Sequence, residues 1–161
     1  SSKKLKYFDS KNNESYIPYV LETSIGLDRM FLAVFSNSLF EEKLEDGSLR
    51  TVLKLPTILA PIKVAILPLL KKDGLQEIAK NLLEILKTEH TVSYDEKDAI
   101  GRRYRRQDAL GTPFCVTVDH KSKEDNTFTL RERDSMIQER LSVKELLQKI
   151  ESSVSIKSWI K

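Results

Sequence analysis

The sequence is poor in residues that build covalent or metal-held scaffolds. Cys115 is its one cysteine, so no disulfide can form within the chain, which fits a reducing compartment. That cysteine and the two histidines, His90 and His120, are too widely spaced for a zinc signature. No apolar run approaches the roughly 20 residues a membrane-spanning helix needs. The opening residues, SSKKLKYFDS, are polar and carry no secretory pattern. They do not begin with Met, so the chain is expected to be a piece of, or processed from, something longer. There is no internal repeat and no low-complexity tract. A glycine-rich phosphate loop of either nucleotide type is also missing, which argues against a mononucleotide site.

What is present is an ordinary soluble globular composition. The chain has 161 residues, 40% hydrophobic and 32% charged, with a net charge of +3. That length allows one domain, or one domain plus a piece of another. The charge is not spread evenly. Residues 100–111, IGRRYRRQDALG, hold Arg102, Arg103, Arg105 and Arg106 against one acid, Asp108, so this stretch alone carries the +3 of the whole chain. Basic charge concentrated in this way points to phosphate or nucleic acid.

Residues 5–8 and 16–21 read as two strands around a polar turn. Residues 22–40 read as a helix with Ser24 as its N-cap and Leu27, Met30, Phe31, Val34, Phe35 and Ser38 at helical spacing. A helix this apolar around its girth needs cover on more than one side. Nothing nearby supplies it, so the first segment reads as the edge of a larger body. Asp46-Gly47 is a hairpin signal between residues 42–44 and 49–53. The Pro-bounded connector at 55–61 (LPTILAP) places a domain boundary between 1–56 and 57–161.

Beyond the connector the pattern changes. Residues 62–69 form a nearly continuous apolar run, as expected of a central strand, with Pro68 at its exit. Asp73 is placed to cap a helix whose inner face is Leu75, Ile78, Ala79, Leu82, Leu83 and Leu86. Short strands follow at 92–94, 114–119, 127–133 and 137–141, the 127–133 strand alternating as if solvated on one face. A helix covers 100–110. Ser142 and Glu145 form a capping box before a final helix burying Val143, Leu146, Leu147 and Ile150. This order predicts an α/β domain with helices on both faces of a mixed sheet.

On a helical projection with Ile100 at zero, Tyr104 falls at about 40°, Gln107 at about 340°, and the four arginines between about 140° and 300°. The helix should therefore turn Ile100 and Tyr104 inward and fan the arginines outward, ending before Leu110. Two readings stand for the arginines: a solvated charged face with ion pairs, or phosphate contact by guanidinium forks.

Four separated stretches together resemble the C-terminal part of glycyl-tRNA synthetases of the dimeric class II type. Residues 22–29 (ETSIGLDR) resemble the third class II signature motif in its glycyl form. Residues 50–69 (RTVLKLPTILAPIKVAILPL) resemble the passage into the anticodon-binding domain, and residues 100–119 and 129–140 (TLRERDSMIQER) resemble features of that domain. The resemblance implies a five-stranded mixed sheet flanked by helices, preceded by a β-hairpin-plus-helix remnant of an antiparallel catalytic domain. It implies a cytoplasmic, homodimeric enzyme that activates glycine with ATP and Mg²⁺ and transfers it to tRNA-Gly. It places Arg29 on the γ-phosphate of ATP, Gly26 at a close backbone approach to the nucleotide, and Ser24, with Glu22 beside it, at the substrate glycine. The first two class II motifs are absent, so this piece alone is not expected to activate glycine or to hold ATP and Mg²⁺.

In the second domain the resemblance implies contact with the anticodon stem and loop, whose glycine anticodons end in two cytosines. Reading such bases requires donors, acceptors and a stacking surface. Arg102, Arg103, Arg105 and Arg106 suit phosphate positioning better than base reading. Arg131, Arg133 and Asp134 lie at a strand end where they could reach a base edge, or else form an ion-pair ladder. Tyr104 is a stacking candidate or a core residue, Phe114 and Cys115 are core residues, and Trp159 is a docking residue or has no role. A second reading is a non-enzymatic nucleic-acid-binding accessory subunit of the same fold, which need not keep Ser24, Gly26 and Arg29.

Overall fold

The computed structural model describes residues 5–156 and 160; Trp159 lies outside them. It divides into two compact units, Ser1–Phe31 and Leu32–Lys161. The smaller unit holds an antiparallel hairpin, β1 (Tyr7–Asp9) and β2 (Glu14–Tyr16), in which Tyr7 pairs with Tyr16. These strands are shorter than the sequence predicts. Asp9 takes over at the turn, accepting from the Lys11 amide at 2.9 Å and the Asn12 side chain at 2.8 Å.

Helix α1 (Leu27–Ser38) begins three residues after Ser24. The Gly26 carbonyl accepts its first bond, from the Met30 amide at 3.0 Å, so Gly26, and not Ser24, occupies the capping position. Strands β3 (Leu39–Lys43) and β4 (Leu49–Leu53) form the expected hairpin, with Gly47 at φ 79° and the Asp46 carboxylate accepting from the Ser48 amide at 2.9 Å. This hairpin belongs to the larger unit. Its Arg50 is fully buried, and its ion pair with Asp108 lies across the expected boundary at 56/57. The compact units thus part earlier than the composition change does.

The centre of the larger unit is a five-stranded sheet of order β6-β5-β7-β8-β9. Its strands are β5 (Val64–Pro68), β6 (Val92–Tyr94), β7 (Phe114–Val118), β8 (Thr127–Glu132) and β9 (Gln138–Ser142). β5 pairs in parallel with β6 and β7, whereas β8 and β9 are antiparallel. β5 and β7 are buried at every position, as their unbroken apolar runs predict. Helices α2 (Leu75–Leu86), α3 (Ile100–Leu110) and α4 (His120–Asp125) connect the strands, and α5 (Val143–Val154) follows the last of them.

One sheet face packs Val64, Ile66, Val116 and Leu130 against Leu82 and Leu86 of α2 and Leu146 and Ile150 of α5. Burying each such side chain contributes about 1.5–3 kcal/mol. The capping box at the start of α5 forms as the sequence predicts, Ser142 accepting from the Glu145 amide and Glu145 from that of Ser142. At α2 the expected cap fails: Asp73 and Gly74 both take positive φ, and Gly74 occupies the cap with no side-chain bond. The predicted solvated face of β8 holds only in part, with Thr127 and Thr129 half-buried. The strand is interior, and Arg131 on its second face is buried.

Candidate nucleic-acid interface

The second face of the sheet changes character from strand to strand. In register across β5, β7, β8 and β9 run Ala65, Cys115, Arg131 and Gln138, and beside them Leu67, Thr117, Thr129 and Arg140. The β5–β7 half is apolar and the β8–β9 half polar. Helix α3 covers the apolar half, laying Ile100 and Tyr104 against Ala65, Leu67 and Cys115. Burial pushes the Cys115 thiol up to about 12, so it remains a protonated core residue. The Tyr104 hydroxyl lies 2.6 Å from that of Thr117, and the Arg131 guanidinium stands 4.8 Å from its ring centroid. That ring is therefore occupied from within.

The four arginines of α3 separate into two classes. Arg103 is buried and donates to the carbonyls of Pro68 at 2.6 Å, Leu69 at 3.2 Å and Asp95 at 3.3 Å. It holds the exit of β5. Arg106 is bound to the Asp95 carboxylate at 2.8 Å and that of Asp98 at 2.8 Å. Burial alone would raise the Asp95 pKa, but the Lys97 amide and Arg106 bring it below the ordinary value. Among the described residues neither Arg102 nor Arg105 has an ion pair or a side-chain hydrogen bond; Arg102 is exposed and Arg105 half-buried. The outward fan of four is thus corrected to three: Arg103 turns inward, and Arg106 points outward but is already paired. Arg103, at about 300° on the projection, borders the inward arc of Gln107 and Ile100, and the open carbonyls beyond β5 draw it in.

A buried ionic cluster lies beneath the C-terminal half of the helix. Asp108 is fully buried and accepts from Arg50 Nε at 2.9 Å and from Arg131 Nη1 and Nη2 at 2.9 and 3.1 Å. Arg50 also reaches Glu42 at 2.8 Å and the Arg133 carbonyl. Burial opposes the charge on Arg50, but its bonds to Asp108 and Glu42 outweigh that and raise its pKa. Arg133 is buried as well, donating to the carbonyls of Gly111 at 2.9 Å and Leu55 at 2.8 Å and pairing with Asp134 at 2.8 Å. The residues expected to reach a base edge, Arg131 and Arg133, have internal partners instead, and Asp134 is tied to Arg133.

The uncovered polar half of the sheet forms a hollow of about 260 Å³ lined by Leu69, Ile100, Tyr104, Thr117, Asp119, Thr129 and Gln138. It lies beyond the C-terminal ends of β5 and β7, where open α/β sheets present their ligand sites. Arg140 forms a fork on Asp119, with Nη1 and Nη2 at 2.8 and 2.9 Å from its two oxygens, and donates to Thr127 Oγ1 at 2.6 Å. These bonds, against a partial opposing burial, bring the Asp119 carboxyl down to about 2. Asp119 also caps α4, accepting from the Ser122 amide at 3.0 Å.

The profile of the anticodon binding domain family matches residues 63–153, more than half of the chain and all of the sheet. The chain belongs to this family. Its anticodon-binding domain is similar to parts of larger proteins. A glycine–tRNA ligase of Treponema denticola is 52% identical over 159 residues, covering 96% of this chain and 35% of that one. A glycine–tRNA ligase of Clostridium tetani is 47% identical over 154 residues, covering 96% and 33%. The chain spans about a third of the length of these curated relatives. Among solved structures, the RNA binding domain of threonyl-tRNA synthetase from Cryptosporidium parvum shares the fold, with a TM-score of 0.56 and 22% identity over 73% of this chain and 35% of that one.

Within the anticodon-binding domain the sequence left Thr117, Asp119, Thr129, Gln138 and Arg140 without a role. Asp119 with Ser122 is a capping pattern that could have revealed α4, and Arg140 closes a stretch already singled out. The hollow itself depends on strand register and carries no local signal. In the smaller unit Glu22, Ser24, Gly26 and Arg29 are all exposed. The Arg29 stem lies over Gly26, 3.9 Å from where a β-carbon would stand there. Among the described residues no carboxylate pairs with Arg29.

Proposed function

We propose that this chain is the C-terminal part of a glycine–tRNA ligase and that its anticodon-binding domain holds the anticodon region of tRNA-Gly. The observation that carries this reading is the division of the α3 arginines. Arg103 is buried and Arg106 is paired with Asp95 and Asp98 at the surface, while Arg102 and Arg105 make no ion pair and no side-chain hydrogen bond among the described residues, with only longer-range attraction to Asp98 and Asp46. Free, rigidly mounted cations suit the phosphate backbone. The hollow lined by Ile100 and Tyr104 of the same helix offers hydroxyls, a carboxylate and an amide next to the apolar Leu69 and Ile100, which suits the edge of a splayed base. The Gln138 amide and the Asp119 carboxylate can accept from a cytosine amino group.

Arg29, exposed and without an internal partner, fits a phosphate of ATP, and Gly26 beside it leaves the approach open. Glu22 and Ser24 are proposed for the substrate glycine. ATP, Mg²⁺, homodimerisation and a cytoplasmic location belong to the whole protein in this reading. The 161-residue chain alone is expected to be inactive in glycine activation. Among the described residues no helix is long and apolar enough to cross a membrane. The test is binding of the 161-residue chain to tRNA-Gly and to a variant with both anticodon cytosines replaced, at several salt concentrations. Weaker binding of the variant is expected; equal affinity for the two would remove the anticodon assignment.

A further inference from the structure

Three side chains outside the proposed interface converge where the segment after α2 meets the last turn of α5. His90 lies between α2 and β6, its side chain only 3% exposed. Its Nε2 is buried and has no hydrogen-bond partner among the described residues. Buried polar atoms of this kind call for a partner. Nε2 faces Glu151 Oε2 at 3.8 Å, too far for a hydrogen bond. One ligand atom from each of Glu89, His90 and Glu151 can be chosen so that all lie within 4.8 Å of one another. Among the described residues neither glutamate pairs with a lysine or arginine.

We propose that Glu89, His90 and Glu151 form a zinc site. Two ligand atoms on a tetrahedral ion at zinc distances stand ~3.4 Å apart, so the gap between His90 and Glu151 has to close only slightly. Glu89 and Glu151 are exposed, so a change of rotamer can bring either carboxylate to the ion. The donor set is neutral imidazole with two carboxylates, which suits zinc better than Mg²⁺, whose preferred ligands are all oxygen. The two carboxylates balance the charge of the ion, and a water completes four-coordination. The bound ion ties the exit of α2 to the last turn of α5, an attachment made otherwise by apolar packing. The site is independent of tRNA binding.

The test is a zinc titration of the whole 161-residue chain, followed by calorimetry and by Tm. One zinc per chain and a rise in Tm that grows with zinc concentration are expected, with no rise from Mg²⁺ at the same concentration. Glu151→Gln, at an exposed side chain, should keep the metal-free Tm and weaken zinc binding by more than about tenfold. His120→Asn, at the only other histidine, should leave binding unchanged. Co²⁺ should give the visible bands of a four-coordinate site in the unsubstituted chain and lose them in E151Q. Zinc binding lost in H120N but kept in E151Q would overturn the proposal. So would a Tm that does not change as zinc is added.

Discussion

Arg50 Nε lies 2.9 Å from Asp108 Oδ2, joining a hairpin strand to a helix 58 residues further along the chain. Asp108 has bonds to two guanidinium groups, those of Arg50 and Arg131, and both arginines are buried with it. Removing one partner of a buried ion pair leaves an uncompensated charge, at a cost of about 3–5 kcal/mol. Asp108→Asn preserves the shape and removes the charge, and should destabilise the chain on that scale in urea denaturation. A loss below about 1 kcal/mol would place the cluster with surface pairs.

The free and bound arginines of α3 should respond differently to truncation. Arg102→Ala with Arg105→Ala should change stability by no more than about 0.5 kcal/mol. The pair should weaken tRNA binding and lower the dependence of log affinity on log salt by about 0.7–0.9 for each phosphate that is no longer neutralised. Arg106→Ala should do less to that slope, because its guanidinium already has two carboxylates. A slope unchanged in the double variant would return Arg102 and Arg105 to an ordinary solvated face.

Asp119 makes a pH prediction. Its ordinary value is 3.8, and in the fold it is brought to about 2, chiefly by the Arg140 fork. A depressed folded pKa stabilises above the unfolded value, and the contribution is lost as pH falls toward the folded one. Asn also serves as a helix N-cap, so Asp119→Asn removes the charge while retaining the start of α4. The stability gap between the original chain and D119N should be steady from pH 7 to about 5 and close between about pH 4 and 2. A gap that persists at pH 2 would assign the effect to capping or packing.

Gly111 ends α3 at φ 80°, a conformation that resists a side chain. An added β-carbon would stand 3.0 Å from the Leu53 carbonyl oxygen and 3.2 Å from Leu53 Cδ2. Gly111→Ala therefore carries both backbone strain and a collision with β4, and should cost about 1–3 kcal/mol in thermal or urea unfolding. Gly47 also has positive φ, but nothing lies within 4 Å of its β-position. Gly47→Ala should cost less, and equal costs would remove the role of the Leu53 collision.

The sheet and its main helices were legible because their signals are local. The start of α3, the capping box of α5 and the apolar runs of β5 and β7 all follow from neighbouring residues, whereas α3 runs through Leu110 to its Gly111 cap, one residue further than the projection predicts. The site was legible only in part. A helical projection identifies the inward side of α3 through Ile100 and Tyr104, but it cannot show that the carbonyls of Pro68, Leu69 and Asp95 await Arg103. Nor can it place Arg50 and Arg131 on Asp108, since that cluster joins three distant elements. The pairing of Thr129 with Arg140 and of Arg131 with Gln138 decides which polar side chains share a face, and one step of register would reverse it.

The separation that makes the Arg50 cluster hard to read also gives it a timetable. Arg50 reaches the backbone of Arg133 across 83 residues. At about 5–20 residues per second, a chain made from its N-terminus presents Arg50 for about 4–17 s before that partner exists. The β3–β4 hairpin can close on its own turn during that interval, but its arginine cannot be buried against its full set of partners. Synthesis therefore leaves this buried arginine incompletely paired until the chain has passed residue 133.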